Sequence, residues 1–290
     1  MRIAVLDLGA MGSRMARRLL SAGHDVAIYN RSPPPIEALV AEGAVTGKTP
    51  RMAAEGAEIV MSMVRDVEAS RAIWCDEWDG ALKGLGPGAI AIESSTLTSG
   101  WICELAMRVC TTGASFLDAP VVGSRPQADA GQLVHLVGGK AGTFDRAKPV
   151  LAALGNAAYH VGPVGAGATL KLVVNALFGT QVALLGELLS VLRDSPCDLT
   201  AVTEALSSLP VTSRAARGAL ALMLAEKDAP LFPIDLAEKD FSYVLDQAQG
   251  SALPITAAVH ERFARAKADG LAALNITAIA RQYRRSANSG

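Results

Sequence analysis

Ile3-Ala4-Val5-Leu6-Asp7-Leu8-Gly9-Ala10-Met11-Gly12 is the stretch that decides the fold. Its apolar start reads as a buried strand, and its glycine-punctuated turn opens into helical spacing over residues 11–22. Strand, glycine turn and helix in that order begin a dinucleotide-binding unit. Gly9 lets the backbone approach a diphosphate, and Gly12 lets the helix pack on the sheet. The helix N-terminus supplies N–H donors and a partial positive charge. Asp7 departs from the pattern by standing where the first glycine is expected, with a Cβ and a negative charge beside the anion.

Outward from this unit, β-rich runs at 3–8, 25–30, 58–64, 89–95, 114–121, 133–138 and 157–161 alternate with helical patterns at 11–22, 34–42 and 143–154. That alternation predicts a mostly parallel sheet covered by helices. After Gly162-Pro163 the character changes. Residues 167–193 form a long apolar helix, hydrophobic nearly all round and so buried on several sides. Helical stretches follow at 199–206, 213–225, 235–249, 254–268 and 272–284, with Pro233 and Pro254 suited to first turns. No strand signal follows residue 161, and the small polar tail 286–290 is expected to fray. The chain therefore reads as α/β: a Rossmann-type doubly wound sheet over residues 1–163, then an all-α domain over 164–290. One helical domain would struggle to bury the 167–193 helix alone, which predicts a homodimer.

Half of the 290 residues are hydrophobic and 19% are charged, a globular composition. The formal net charge of −1 offers no general attraction to nucleic acid or to an anionic membrane. Charge or glycine breaks the apolar runs before membrane-spanning length, and no signal peptide is legible. Cys75, Cys103, Cys110 and Cys197 lack metal-ligand spacing and a dense disulfide pattern, so a cytoplasmic protein without a metal site is expected.

The second strand ends in Tyr29-Asn30-Arg31-Ser32. A carboxylate here would bind the ribose hydroxyls of NAD, whereas arginine accommodates a 2′-phosphate. Asn30 cannot repel that phosphate, Arg31 can pair with it and Ser32 can donate to it, so NADP(H) is expected. Two further segments sit at strand ends, where ligands of such sheets bind: Glu93-Ser94-Ser95-Thr96, and Asp118-Ala-Pro-Val-Val122-Gly123-Ser124-Arg125-Pro126. Lys171 precedes Asn175 by one helical turn, so both project from one face amid small and apolar neighbours. A desolvated lysine has a lowered pKa and can exchange a proton near neutrality. The rival readings are structural: Ser95 as a helix cap, Asp240 as the partner of Lys239, Phe232 as a core residue and Asn175 buried against backbone.

Five motifs in order, Gly9-Ala10-Met11-Gly12, Ser95-Thr96, Asp118-Ala-Pro-Val-x-Gly123, Gly165-x-Gly-x-x-x-Lys171-x-x-x-Asn175 and Lys239-Asp240, cover nearly the whole chain. Together they resemble the β-hydroxyacid dehydrogenase family (3-hydroxyisobutyrate dehydrogenase-like). Asn30-Arg31-Ser32, Gly123-Ser-Arg-Pro126 and Phe232 most resemble its glyoxylate/succinic semialdehyde reductase branch. The resemblance implies NADPH-dependent reduction of a small aldehyde or keto acid. It makes Lys171 the proton donor and Asn175 a holder of the substrate oxygen. Thr96 and Val122–Gly123 would bind the carboxylate, with Thr96 also near the cofactor. Met63-Val64 and Lys239 would touch the cofactor, and Phe232 and Asp240 would shape the pocket. The family's usual serine is Val122 in this chain, a lost donor worth about 1.5–3 kcal/mol. Asn275 stands where relatives tend to carry aspartate. The alternatives are an imine reductase, favoured by Val122 and opposed by Lys171, and a non-catalytic NADP-binding protein.

Overall fold

A computed structural model describes residues 1–248 and 250–283. Its sheet contains β1 (Arg2–Leu6), β2 (Asp25–Tyr29), β3 (Val45–Thr46), β4 (Ile59–Ser62), β5 (Ile90–Glu93), β6 (Ser115–Asp118), β7 (Val121–Val122), β8 (Leu133–Gly139) and β9 (Gly155–Gly162). The order is β3-β2-β1-β4-β5-β6-β8-β7, with β9 beside β8. β1 to β6 run parallel, β6 and β7 lie antiparallel to β8, and β8 and β9 are parallel. Successive side chains feed two cores. Ile3, Val5, Ile59, Met61, Ile90 and Ile92 meet Met15 and Leu19 on one face. Ala4, Leu6, Val60 and Ala91 meet Trp74, Trp101 and Leu105 on the other. Cover on both faces explains why these strands are apolar throughout rather than alternating. From β1 the chain winds out to β2 and β3, then returns to the other side at β4. Open α/β sheets bind ligands at the carboxyl ends of the strands where the winding reverses, here those of β1 and β4.

The run expected as one strand over 114–121 is two, interrupted at Ala119-Pro120. Proline cannot supply a ladder donor, and the continuation at Val121–Val122 pairs with His135 and Val134 of β8 instead. β3 and β7 are two residues each and too short to show a period.

The chain forms two compact units, Met1–Lys171 and Leu172–Gly290, and the helix Ala166–Arg193 runs through the division. In the second unit, Val182, Ala183, Phe241, Phe263, Ile276 and Ile279 form the core. Gly179 admits the ring of Phe241, which lies 5.4 Å from that of Phe263. Helices Leu199–Ser208, Arg214–Leu224, Ile234–Gln247 and Pro254–Ala266 complete it. Pro254 is the first helical residue, while Pro233 lies one position before its helix. The helix expected over 272–284 is a 3-10 segment, Ile276–Tyr283, after a turn in which Gly270 takes φ +83. That left-handed residue ends the preceding helix. Gln249, Arg284 and the tail 286–290 lie outside the described residues.

The expectation that no apolar run reaches membrane-spanning length fails. Ala166–Arg193 has 28 residues and is apolar enough by composition to cross a bilayer. Val182, Ala183 and Leu189 of this helix are nevertheless enclosed in the second unit's core, an ordinary setting for so apolar a helix.

Candidate functional site

Asp7 follows β1 with φ +71, a left-handed conformation that glycine adopts freely and aspartate more readily than most residues. Its N–H donates to the Tyr29 carbonyl at 2.9 Å. Gly12 lies directly over this bend, and a Cβ there would overlap the Asp7 carbonyl oxygen. Gly9 is exposed, and a Cβ on it would meet nothing within 4 Å. The helix Gly12–Ser21 begins with no side-chain cap and no acidic residue in its first turn. Uncapped N–H groups under an open backbone fit a diphosphate. Asp7 is the discordant member. Burial raises its carboxyl above the ordinary aspartate value, against the N–H groups of Gly9 and Leu8 and the charge of Arg31.

At the end of β2, Asn30 is occupied within the protein. Its Oδ1 accepts the Leu8 N–H at 2.9 Å, and its Nδ2 donates to the Ser32 carbonyl at 2.8 Å and the Ser32 hydroxyl at 3.0 Å. Asn30 thus ties the glycine turn to the Arg31–Ser32 loop, leaving Arg31 and Ser32 exposed.

A buried network that sequence reasoning missed lies beside the next strand ends. Glu93 is fully enclosed. Its Oε2 accepts from Ser70 Oγ at 2.7 Å and Trp74 Nε1 at 3.0 Å. Its Oε1 accepts from Ser95 Oγ at 2.5 Å and Ser95 N–H at 3.1 Å. Ser95 Oγ in turn accepts the Val64 N–H at 2.7 Å. The network therefore sets the backbone at Val64, beside Met63, and immediately before Thr96. Ser95 is not a helix cap, because Thr98 caps Ser99–Cys110. A glutamate ending the apolar strand Ile90-Ala91-Ile92 was the available signal.

Val122 is half-buried in β7, opposite Val134. Gly123 follows with φ +125, and a Cβ there would crowd Gln127 and Leu133, each at 3.0 Å. Asp118 pins the start of the long helix. Its carboxylate accepts the N–H of Gly165 at 2.9 Å and of Ala168 at 2.8 Å. Burial raises its pKa, while the helix-start N–H groups pull it down. Lys171 lies one turn beyond Ala168 and is only 8% exposed. An ammonium so enclosed is costly unless it is engaged or does work.

In the second unit, Asn175 Nδ2 donates to Asp240 Oδ2 at 2.6 Å, and Lys239 Nζ lies 2.7 Å from Asp240 Oδ1. Lys239 also sits 4.4 Å above the Tyr243 ring. The structure therefore brings the buried Asn175 and Asp240 together with the half-buried Lys239. Phe232 is half-buried and packs on the second unit's core, and its N–H donates to Asn275 Oδ1 at 3.0 Å. Asn275 is itself buried and also accepts the Leu231 N–H, so it holds the Phe232 segment.

Residues 2–162 match the family described as the NAD binding domain of 6-phosphogluconate dehydrogenase. Residues 165–283 match that described as the NAD-binding domain of NADP-dependent 3-hydroxyisobutyrate dehydrogenase. The chain belongs to the β-hydroxyacid dehydrogenase family. This is a family of NAD(P)-dependent oxidoreductases. The chain is 30% identical over 279 residues to chloroplastic glyoxylate/succinic semialdehyde reductase 2 of Arabidopsis thaliana, covering 96% of this chain and 78% of that protein. It is 28% identical to human cytokine-like nuclear factor N-PAC, across 97% of this chain and 51% of that protein. A 3-hydroxyisobutyrate dehydrogenase of Mycobacterium tuberculosis, solved with L-serine, superposes with a TM-score of 0.90 at 25% identity, covering 98% of this chain and 99% of the other.

Proposed function

We propose that the protein is an NADPH-dependent reductase that converts a small aldehyde or keto acid to the hydroxy acid, with Lys171 as proton donor. The observation that carries this reading is the placement of Lys171. A buried ammonium sits one turn into a helix whose start Asp118 ties to the sheet that bears the glycine turn. When bound, the nicotinamide supplies hydride. Lys171 polarises the substrate carbonyl and gives its proton to the oxygen. We assign Asn175 to hold that oxygen, with its amide orientation set by Asp240. We assign Thr96 and the backbone at Val122–Gly123 to the carboxylate, Arg31 and Ser32 to the 2′-phosphate, and Met63, Val64 and Lys239 to the cofactor. Phe232 and Asp240 shape the substrate pocket. The resemblance to the Arabidopsis reductase supports the aldehyde-acid class.

Val122 favours a second reading. An apolar side chain at the carboxylate position suits a less polar substrate such as a cyclic imine. NADPH oxidation on glyoxylate, succinic semialdehyde and a cyclic imine separates the two readings. Lys171→Ala should lower turnover on the aldehyde acids at least a hundredfold, within the usual range for a general acid, while NADPH binding stays within about twofold. Retained turnover would remove Lys171 from the proton-donor role. NADPH binding without turnover on any panel member would instead favour a non-catalytic NADP-binding protein.

We also propose a cytoplasmic homodimer. Four free cysteines, three of them exposed, support a reducing compartment. An apolar stripe of Val173, Leu177, Leu184, Leu188 and Val191, exposed along one helix at helical spacing, supports self-association.

A further inference from the structure

We propose that Asp7 weakens this chain's discrimination between phosphorylated and unphosphorylated dinucleotides by opposing Arg31. The inference rests on the reading of Arg31 as the contact for a 2′-phosphate. Asp7 continues the register in which Leu6 pairs with Tyr29, and its N–H donates to the Tyr29 carbonyl. That places Asp7 beside the end of β2, where the chain turns into Asn30-Arg31-Ser32. Asn30 bridges the two strand ends with its whole amide, through Leu8 on one side and Ser32 on the other. This corner thus holds charges of opposite sign in the half-buried Asp7 and the exposed Arg31, with the exposed Lys48 following β3 beside the end of β2.

A 2′-phosphate entering the corner is drawn by Arg31 and repelled by Asp7. A 2′-hydroxyl meets a cation with no phosphate to pair and a carboxylate able to accept its hydrogen bond. Asp7 thus subtracts from affinity for NADP(H) and adds to affinity for NAD(H). The left-handed backbone at residue 7 is open to glycine and tolerates asparagine, so the charge can be removed without breaking the turn.

Dissociation constants for NADPH and NADH, from the fluorescence of the bound nucleotide, test this in the native chain and in Asp7→Asn and Asp7→Gly. Both variants should raise the ratio of NADPH to NADH affinity roughly tenfold, the size of one unit-charge interaction at a partly solvated separation. An unchanged ratio in both, with circular dichroism showing native folds, overturns the proposal. The NADP(H) reading fails separately. If Arg31→Ala leaves NADPH affinity intact, Arg31 is not the phosphate contact, whatever Asp7 does. A native chain that prefers NADH, yet shifts toward NADPH on loss of the Asp7 charge while Arg31→Ala still weakens NADPH binding, sinks the NADPH preference. It keeps Arg31 as the phosphate contact and sustains this proposal.

Discussion

Glu93 is held inside the first unit by neutral donors: two serine hydroxyls, an indole N–H and a backbone N–H. Removing the acceptor would strand those donors at about 1–3 kcal/mol each. Glu93→Ala should therefore lower the free energy of unfolding by about 3 kcal/mol or more, read from the urea midpoint. It should also weaken cofactor binding, because the Val64 N–H and the Thr96 backbone lose their anchor. His135 makes a different residue-scale prediction. It is fully buried opposite Val121, neither ring nitrogen has a well-formed hydrogen bond, and desolvation lowers its pKa to about 4. The unfolded chain takes up this proton near pH 6.5 and the folded chain only near 4. The unfolded state thus binds more protons across that window, and stability falls as pH drops from 6.5 to 4. The full effect is about 3 kcal/mol. Thermal melts of the native chain and His135→Met at pH 7.5 and 4.5 should show the smaller acid loss in the variant.

At the scale of the element, the helix Ala166–Arg193 carries Lys171 and Asn175, and its start is tied to Asp118. Asp118 accepts the N–H of Gly165, just before the helix, and that of Ala168 in its first turn, and Lys171 and Asn175 follow at one-turn intervals. Asp118→Ala should loosen that start and misplace Lys171, with kcat falling at least tenfold while NADPH affinity changes little, since misplacement by about 1 Å can cost a hundredfold. Single-turnover rates beside equilibrium binding would reveal the split. Equal losses in both would mean that the whole sheet end had shifted. The same helix carries the exposed stripe Val173, Leu177, Leu184, Leu188 and Val191. If the protein dimerises through it, Leu184→Glu with Leu188→Glu should give a monomer by light scattering at micromolar concentration without unfolding. A native chain that is already monomeric would end the dimer proposal.

Across the whole molecule, the glycine turn, the apolar strands and the helical second half were legible from residues near one another in sequence. Periods of 2 and 3.6 and the steric demands of Gly9 and Gly12 act over a few positions, so β1, β4, β5 and the long helix could be read directly. Short pieces were not legible: β3 and β7 are too brief to show a period, and the 3-10 ending at Ile276–Tyr283 depends on the turn at Gly270. Polar partnerships were the largest gap. Val64 meets Ser95 across 31 residues, Gly165 meets Asp118 across 47, and Asn175 meets Asp240 across 65. Local pattern thus determined that the chain folds as a doubly wound sheet followed by helices, because backbone sterics and apolar periodicity are properties of neighbours. Tertiary structure alone decided that Asn30 ties Leu8 to Ser32, that Glu93 supports the strand ends and that Asp118 holds the start of the helix that carries Lys171. Each of those roles is a hydrogen bond between residues that only the folded chain brings within 3 Å.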